Sequence, residues 1–354
     1  MIGCFPDPHP DELFYSVCCR YKERTRFSDQ EINFEILGHR KEKIKLDLPS
    51  GFAHLSYNLP ESNLRRMMKL IRDNTLLPLY IPFLSREKSA ILFRKMLGVG
   101  LSKSEEHSFL PSIKWARLYP KLRYCPRCAI EDRKEFKEAY WHRVHQASCV
   151  SVCPEHGVFL LDSIAEIRGN TFDSFYYRDS YVSAEKCIPK CVKERKNDLE
   201  KTDNFGCLFR ISKDVDWLLR NSNFQWDFEN SLQKKYVTLF DCQLTGYCHE
   251  SYESDSLMRQ IRRRSHRPDE YNFYKFYKFL ADHYSAELLE SFGFNPFNDN
   301  RLKERNNCWL FRLIFPSDKW YQEPIKHLLF VHFFVKEIGL FLESSNPHQL
   351  LENS

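Results

Sequence analysis

The sequence predicts a mainly α protein: a helical N-terminal domain with a small cysteine-bearing finger, then an all-helical, helix-turn-helix-like C-terminal domain. Apolar residues recur at helical spacing between recognisable start and stop signals along most of the chain. Two tight pairs of metal-type ligands, Cys125/Cys128 and Cys153/His156, mark the finger. A charged run, eight of eleven residues from Lys193 to Asp203, separates the two parts. The expected division is residues 1–118 for the helical part of the first domain, 119–163 for the finger, 164–206 for an irregular segment and linker, and 207–354 for the second helical region.

The chain has 354 residues, 42% apolar and 15% aromatic, which suits roughly two buried cores and excludes a disordered chain. Net charge is only +5, from 53 basic and 48 acidic residues, so any nucleic-acid role has to come from local clustering. The start, Met1 to Asp7, lacks the basic and apolar regions of a signal peptide. The apolar run Leu328 to Val335 contains His332 and is too short to span a bilayer. The expectation is a cytoplasmic chain with no membrane partner, whose 13 cysteines are packed thiols or metal ligands.

The elements follow in order. A proline-rich arm, Phe5-Pro6-Asp7-Pro8-His9-Pro10, precedes a helix on which Leu13, Phe14, Val17, Cys18 and Tyr21 share a face. Ser28-Asp29-Gln30-Glu31 is a capping box, and Gly38 stops the helix it starts. A further helix spans about 63–75. Its successor, Leu76 to Phe83, holds two prolines and is read as non-helical. Ser85 caps a helix running to Leu97. Gly98 to Ser104 faintly suggests a phosphate loop, but Ser102 stands where that loop needs glycine and a helix precedes it, so a helix stop is the better reading.

Next comes the finger. Cys125-Pro126-Arg127-Cys128 and Cys153-Pro154-Glu155-His156-Gly157 are separated by 24 residues. Thiolate and imidazole are the donors zinc prefers, and four of them close a structural tetrahedron. Proline after the first cysteine of each pair helps fix the turn. Between the pairs, His142, His145 and Cys149 offer alternative ligands, though none completes a pair with two-residue spacing. Packing or hydrogen bonding to the ligands explains them more simply.

A set of motifs in this half resembles a known family. They are Phe5-Pro6 with Asp11 to Ser16, then Thr75 to Tyr80, then Arg123-Tyr124-Cys125-Pro126-Arg127-Cys128, Tyr140-Trp141-His142-Arg143 and Val152 to Gly157. In this order they resemble the TniQ family, in particular its TnsD branch, target-site selectors of multi-component cut-and-paste transposons. The resemblance covers about residues 1–163 and implies zinc ligands at Cys125, Cys128, Cys153 and His156. It also implies that the arm and the TniQ module face a TnsC-type AAA+ ATPase, with Phe5, Pro6, His9 and Trp141 as partner-facing positions. Some TniQ relatives carry a second zinc site. Here Cys187 and Cys191 would need Cys207, Cys242, Cys248 or His249 to complete it, and free thiols are the simpler reading.

The second half reads as helical, with helices at Asp214–Leu219, Asp269–His283 and Ser285–Phe292. Phe273, Phe276, Tyr277 and Leu280 line one face of the middle helix as core, with Lys275 and Lys278 off that face. Just upstream, Arg259, Arg262, Arg263, Arg264, His266 and Arg267 form a cluster without a carboxylate, suited to a phosphate backbone. The alternative is a solvated face paired with nearby acids. The TnsD-like pattern resumes at Asn307 to Phe315 and Pro324 to Leu329, read as two amphipathic helices. TnsD-like chains continue past the equivalent of Ser354 with further DNA-binding modules, so this is a short member or the N-terminal part of a longer one.

The expected function is a non-enzymatic, nucleoid-associated adaptor that binds target DNA sequence-specifically and recruits the ATPase. The alternative is an adaptor linking an RNA-guided, Cascade-type CRISPR effector to that ATPase. A zinc-dependent hydrolase or nuclease is the rival from another class. Four protein ligands close the shell that catalytic zinc keeps open, and no H-E-x-x-H pattern occurs.

Overall fold

A computed structural model of the chain describes residues 2–40, 44–59, 64–106, 120–168, 176–177, 181–190, 204–221, 232, 235–236, 239, 270–291, 313, 323–335 and 337–344. The chain divides into two compact units, Met1–Phe224 and Gln225–Ser354. Both are mostly helical among the described residues.

The first unit opens with the arm and helix α1 (Phe14–Thr25), buried along Phe14 to Tyr21. The arm is docked: the Phe5 ring packs 5.4 Å from Tyr21, and Pro6 is buried. Helix α2 (Asp29–Leu37) starts on the expected box, with the Ser28 side chain accepting from the Glu31 amide and the Glu31 carboxylate from the Ser28 amide. Helices α3 (Phe52–Asn58) and α4 (Leu64–Asn74) follow; α4 buries Met67, Leu70 and Ile71 and leaves Met68 half exposed. Leu76 to Phe83 corrects the sequence reading. Leu77–Tyr80 is a short helix, α5, and Ile81–Phe83 a 3-10 turn, each with its proline in the first turn. There the missing N–H would have had no helical partner, so proline is tolerated. The Ser85 hydroxyl accepts from the Lys88 amide to start α6 (Arg86–Leu97), which ends at Gly98 with φ +79°. That left-handed stop disposes of the phosphate loop. A short helix α7 (Lys103–Glu106) comes next.

A small antiparallel sheet has the order β1-β2-β3: Lys121–Tyr124, Leu161–Arg168 and Tyr176–Tyr177. The sequence reading missed β1 and β2, whereas β3 falls in the aromatic stretch Phe172 to Tyr181, which reads from sequence as strand or loop. Arg123 pairs with Asp162 and Tyr124 with Leu161. Between β1 and β2 lie α8 (Pro126–Phe136) and α9 (Arg143–Gln146). After the sheet come α10 (Ala184–Cys187) and α11 (Phe205–Arg220). Helix α11 packs against α5, α9 and α4 inside the first unit, although it follows the charged run.

In the second unit, α12 (Glu270–His283), α13 (Ala286–Ser291), α14 (Pro324–Phe334) and α15 (Ile338–Glu343) are described. Phe276, Phe330, Phe334 and Phe341 are fully buried. Helix α14 corrects the amphipathic helix read from the sequence: it is buried on nearly every side, Lys326 and Phe333 being partly covered. Its two histidines are paired inside: Tyr236 Oη lies 2.8 Å from His327 Nδ1 and Tyr284 Oη 2.9 Å from His332 Nδ1. Lys235 Nζ donates to the carbonyls of Phe341 and Leu342 at 2.9 and 3.0 Å, covering the end of α15. No helix among the described residues is long and apolar enough to cross a membrane.

Candidate metal centre

Strands β1 and β2 set the two ligand pairs side by side. Cys125 directly follows β1 and is the N-cap of α8, with Pro126 in the first turn. That turn carries Cys128 back toward Cys125. The second pair sits on a tight loop before β2. There the Cys153 amide donates to the Val158 carbonyl at 2.8 Å, and the Gly157 amide to the Cys153 carbonyl at 2.9 Å. Gly157 has φ +62°, a conformation that disfavours side-chain-bearing residues and lets the chain reverse behind His156.

The four donor atoms lie within 4.8 Å of one another. Cys128 and Cys153 sulfurs are 3.7 Å apart, and His156 Nδ1 is 3.6, 3.3 and 3.6 Å from the sulfurs of Cys125, Cys128 and Cys153. A zinc tetrahedron with its usual bond lengths has S···S edges of about 3.8 Å and S···N edges of about 3.6 Å. These distances therefore fit one tetrahedral ion. The donor chemistry fits as well. Hydrogen bonding to Cys125 and Cys153, then burial, pushes the Cys128 thiol far up, whereas hydrogen bonding to Cys125 and Cys128 pulls Cys153 far down. Three thiols in one pocket compete for ionisation, and a shared cation is what lets all three be thiolates.

Neighbouring groups orient the donors. His156 Nε2 lies 3.1 Å from the Glu131 carboxylate, which suits an imidazole that ligates through Nδ1. Val158 and Leu160 pack beside the cysteines. His145 Nε2 approaches Cys128 Sγ at 3.9 Å, and His142 Nε2 meets the Asp132 carboxylate at 3.1 Å. His142, His145 and the buried Cys149 thus stay outside the four-donor group. The segment between the pairs is braced by Arg123, which donates to the carbonyls of Ala147 (2.8 Å) and Val150, and by Gln146 Nε2, 2.8 Å from the Arg123 carbonyl. The sequence gives no role to Glu131 or Asp132, and it shows Arg123 only as part of the motif that runs into Cys125. The readable signal for the two acids was their place one turn beyond Cys128 on the helix that the first pair begins.

A second network joins this module to the arm and the helices. Arg143 is 4% exposed; it donates from Nε to Asp11 at 3.0 Å, from Nη1 to the carbonyls of Arg72 and Thr75 at 2.6 and 3.1 Å, and from Nη2 to the Leu219 carbonyl at 3.3 Å. Those carbonyls lie at the C-terminal ends of α4 and α11, where helices leave acceptors unsatisfied. Glu12, fully buried, accepts from Arg20 Nη1, the Ser16 hydroxyl and the His9 amide, each at 2.8 Å. Burial pushes its carboxyl up to about 7 against the pull of Arg20.

Of the expected partner-facing positions, Phe5 and His9 are partly covered and Pro6 is buried. Trp141 is 0% exposed and donates from Nε1 to the Val182 carbonyl at 3.0 Å, so it is a core residue here. On α12, Lys275 and Lys278 are exposed while Phe276 and Leu280 are buried, which is the facing read from the sequence. Arg259, Arg262, Arg263, Arg264, His266 and Arg267 lie outside the described residues, as do Phe172 to Phe175, Lys193 to Asp203, Cys191, Cys242, Cys248 and His249. Cys187 is buried and Cys207 partly so.

Residues 4–160 match the TniQ family model, and the metal centre and the arm lie inside the matched segment. Over 168 residues the chain is 28% identical to the Transposon Tn7 transposition protein TnsD of Escherichia coli; the match covers 44% of this chain and 31% of that protein, about a third of the relative's length.

Proposed function

We propose, from the premise of a TniQ/TnsD-like chain, that this protein selects target sites for a Tn7-like transposon. In this reading it is a non-enzymatic adaptor that binds target DNA and recruits a TnsC-type AAA+ ATPase. The observation that carries the proposal is the TniQ match over the residues that build the arm and the metal centre. The name of the TnsD relative supplies the process, transposition. A closed set of three thiolates and one imidazole suits one structural Zn2+ that stiffens a docking platform, and leaves no coordination position for a substrate. The arginine cluster from Arg259 to Arg267, with Lys275 and Lys278 exposed on α12, supplies the DNA-binding candidates. Cys187, Cys191 and Cys207 remain the starting points for a second zinc.

The test is a footprint of the purified, Zn2+-loaded chain on chromosomal and random DNA, with and without the ATPase. A discrete footprint by the chain alone, extended when the ATPase is added, is the expected result. No footprint alone, but a supershift of an RNA-guided complex, would replace direct DNA reading by the RNA-guided version. Neither DNA nor ATPase binding would overturn the adaptor reading.

A further inference from the structure

One face of α8 carries Cys128, Asp132 and Phe136 at successive turns, and each meets a histidine. Cys128 Sγ is 3.9 Å from His145 Nε2, Asp132 is 3.1 Å from His142 Nε2, and the Phe136 ring is centred 4.3 Å from that of His9. The facing rings form their own column. His9 to Tyr140 is 5.0 Å, Tyr140 to His142 4.4 Å, and His142 to His145 4.8 Å. One end of this double row is a donor of the metal centre. The other end is the N-terminal arm.

The backbone repeats the connection. The Leu13 amide donates to the Trp141 carbonyl at 2.8 Å, the Arg143 amide to the Asp11 carbonyl at 2.7 Å, and the Tyr140 hydroxyl to the Pro10 carbonyl at 2.9 Å. Residues 139–146 therefore stand between the two ligand pairs in sequence, and between the arm and the metal centre in space.

We infer that metal loading and seating of the N-terminal arm are one coupled equilibrium, carried by the rungs Cys128–His145, Asp132–His142 and Phe136–His9. With Cys128 and Cys153 held by one ion, both ends of the inter-pair segment are fixed, and Tyr140 and His142 present a formed seat to residues 9–13. With the pairs released, α8 and the segment lose their common anchor and the arm loses its seat. Linkage makes the effect reciprocal: a seated arm raises metal affinity by the factor by which metal favours seating. The coupling is independent of the adaptor reading; if that reading holds, it sets when the arm is presented to the ATPase.

The experiment measures Zn2+ affinity of the whole chain by competition with a chromophoric chelator, for the natural sequence and for His9→Ala. The His9 ring touches Phe136 and Tyr140 but no metal donor. Expected is a loss of Zn2+ affinity of about five- to tenfold, within the usual range of coupling between sites. Tyr140→Phe keeps the rings and removes only the bond to Pro10, so a smaller loss in the same direction is expected. Hydrogen exchange adds a second readout: as chelator is titrated into the natural chain, protection of residues 2–13 falls before that of α2 and α6. Unchanged affinity in both folded variants, or loss of protection spread evenly over the first unit, overturns the coupling. A chain that shows the coupling but binds no ATPase counts against the recruitment reading alone.

Discussion

Replacing Arg143 by alanine tests whether its guanidinium is the joint between the arm, α4 and α11. The change removes one ion pair, with Asp11 at 3.0 Å, and hydrogen bonds to the carbonyls of Arg72, Thr75 and Leu219. The backbone bond from residue 143 to the Asp11 carbonyl survives. Removing one partner of a buried ion pair costs about 3–5 kcal/mol, and each buried acceptor left alone costs about 1–3 kcal/mol. These overlap, and relaxation admits some water, so about 4–6 kcal/mol is expected for Arg143→Ala. Lysine can satisfy one or two of the four acceptors, so Arg143→Lys should lose roughly half as much. The assay is urea unfolding of the metal-loaded chain followed by helical circular dichroism. A destabilisation below about 1 kcal/mol for Arg143→Ala with an unchanged denaturant slope would refute the joint, since losing the ion pair to Asp11 and the bonds to three carbonyls is not compatible with so small a change, even though Asp11 keeps the Val144 amide at 3.1 Å.

Three further outcomes are expected. Cys153→Ser, or chelation of the natural chain, should unfold the metal-bearing module first and lower the melting temperature of the first unit, because a closed structural site contributes folding free energy directly; a metal-free variant with unaltered melting would show the site is not structural. Arg262, Arg263 and Arg264 replaced together by alanine should flatten the log–log salt dependence of DNA binding by about 0.9 for each phosphate no longer neutralised, and an unchanged slope would remove the cluster from the interface. Glu12 gives a pH effect. Its carboxyl is raised from 4.5 to about 7 in the fold, so the folded state favours the protonated form, and stability is lost as pH rises from about 4.5 to about 7. The size is on the order of 3 kcal/mol by linkage. Glu12→Gln should remove this dependence, which denaturation of both proteins at pH 5 and pH 8 would reveal.

The metal centre was legible because its chemistry is local: two-residue spacings put donors on single turns, and the sheet only had to bring the turns together. The Ser28 and Ser85 caps were legible for the same reason. Strand β2 was not. Its small residues Ser163 and Ala165 point inward while Ile164 is 73% exposed, so the apolar alternation that announces a strand is inverted. Strand β1 is four residues long and exists through its partner. The Arg143, Arg20 and Glu12 networks were equally hidden, because composition places charges in water until distant carbonyls and carboxylates are seen to converge. Helix α11 looked like the start of the second domain because the charged run precedes it; its apolar face belongs to α4, α5 and α9.

The hydrogen bond from Arg143 to the Leu219 carbonyl also bears on how the protein is made. The metal donors and strands β1 and β2 are complete by Arg168, whereas the end of α11 is translated about fifty residues later, a delay of a few seconds at ordinary elongation rates. A nascent chain can therefore close its finger, seat its arm and cap α4 while one guanidinium hydrogen still lacks its final acceptor. Ribosome-stalled chains ending before and after α11 should differ in protease resistance around Arg143, which would make that arginine a marker of when the first unit becomes finished.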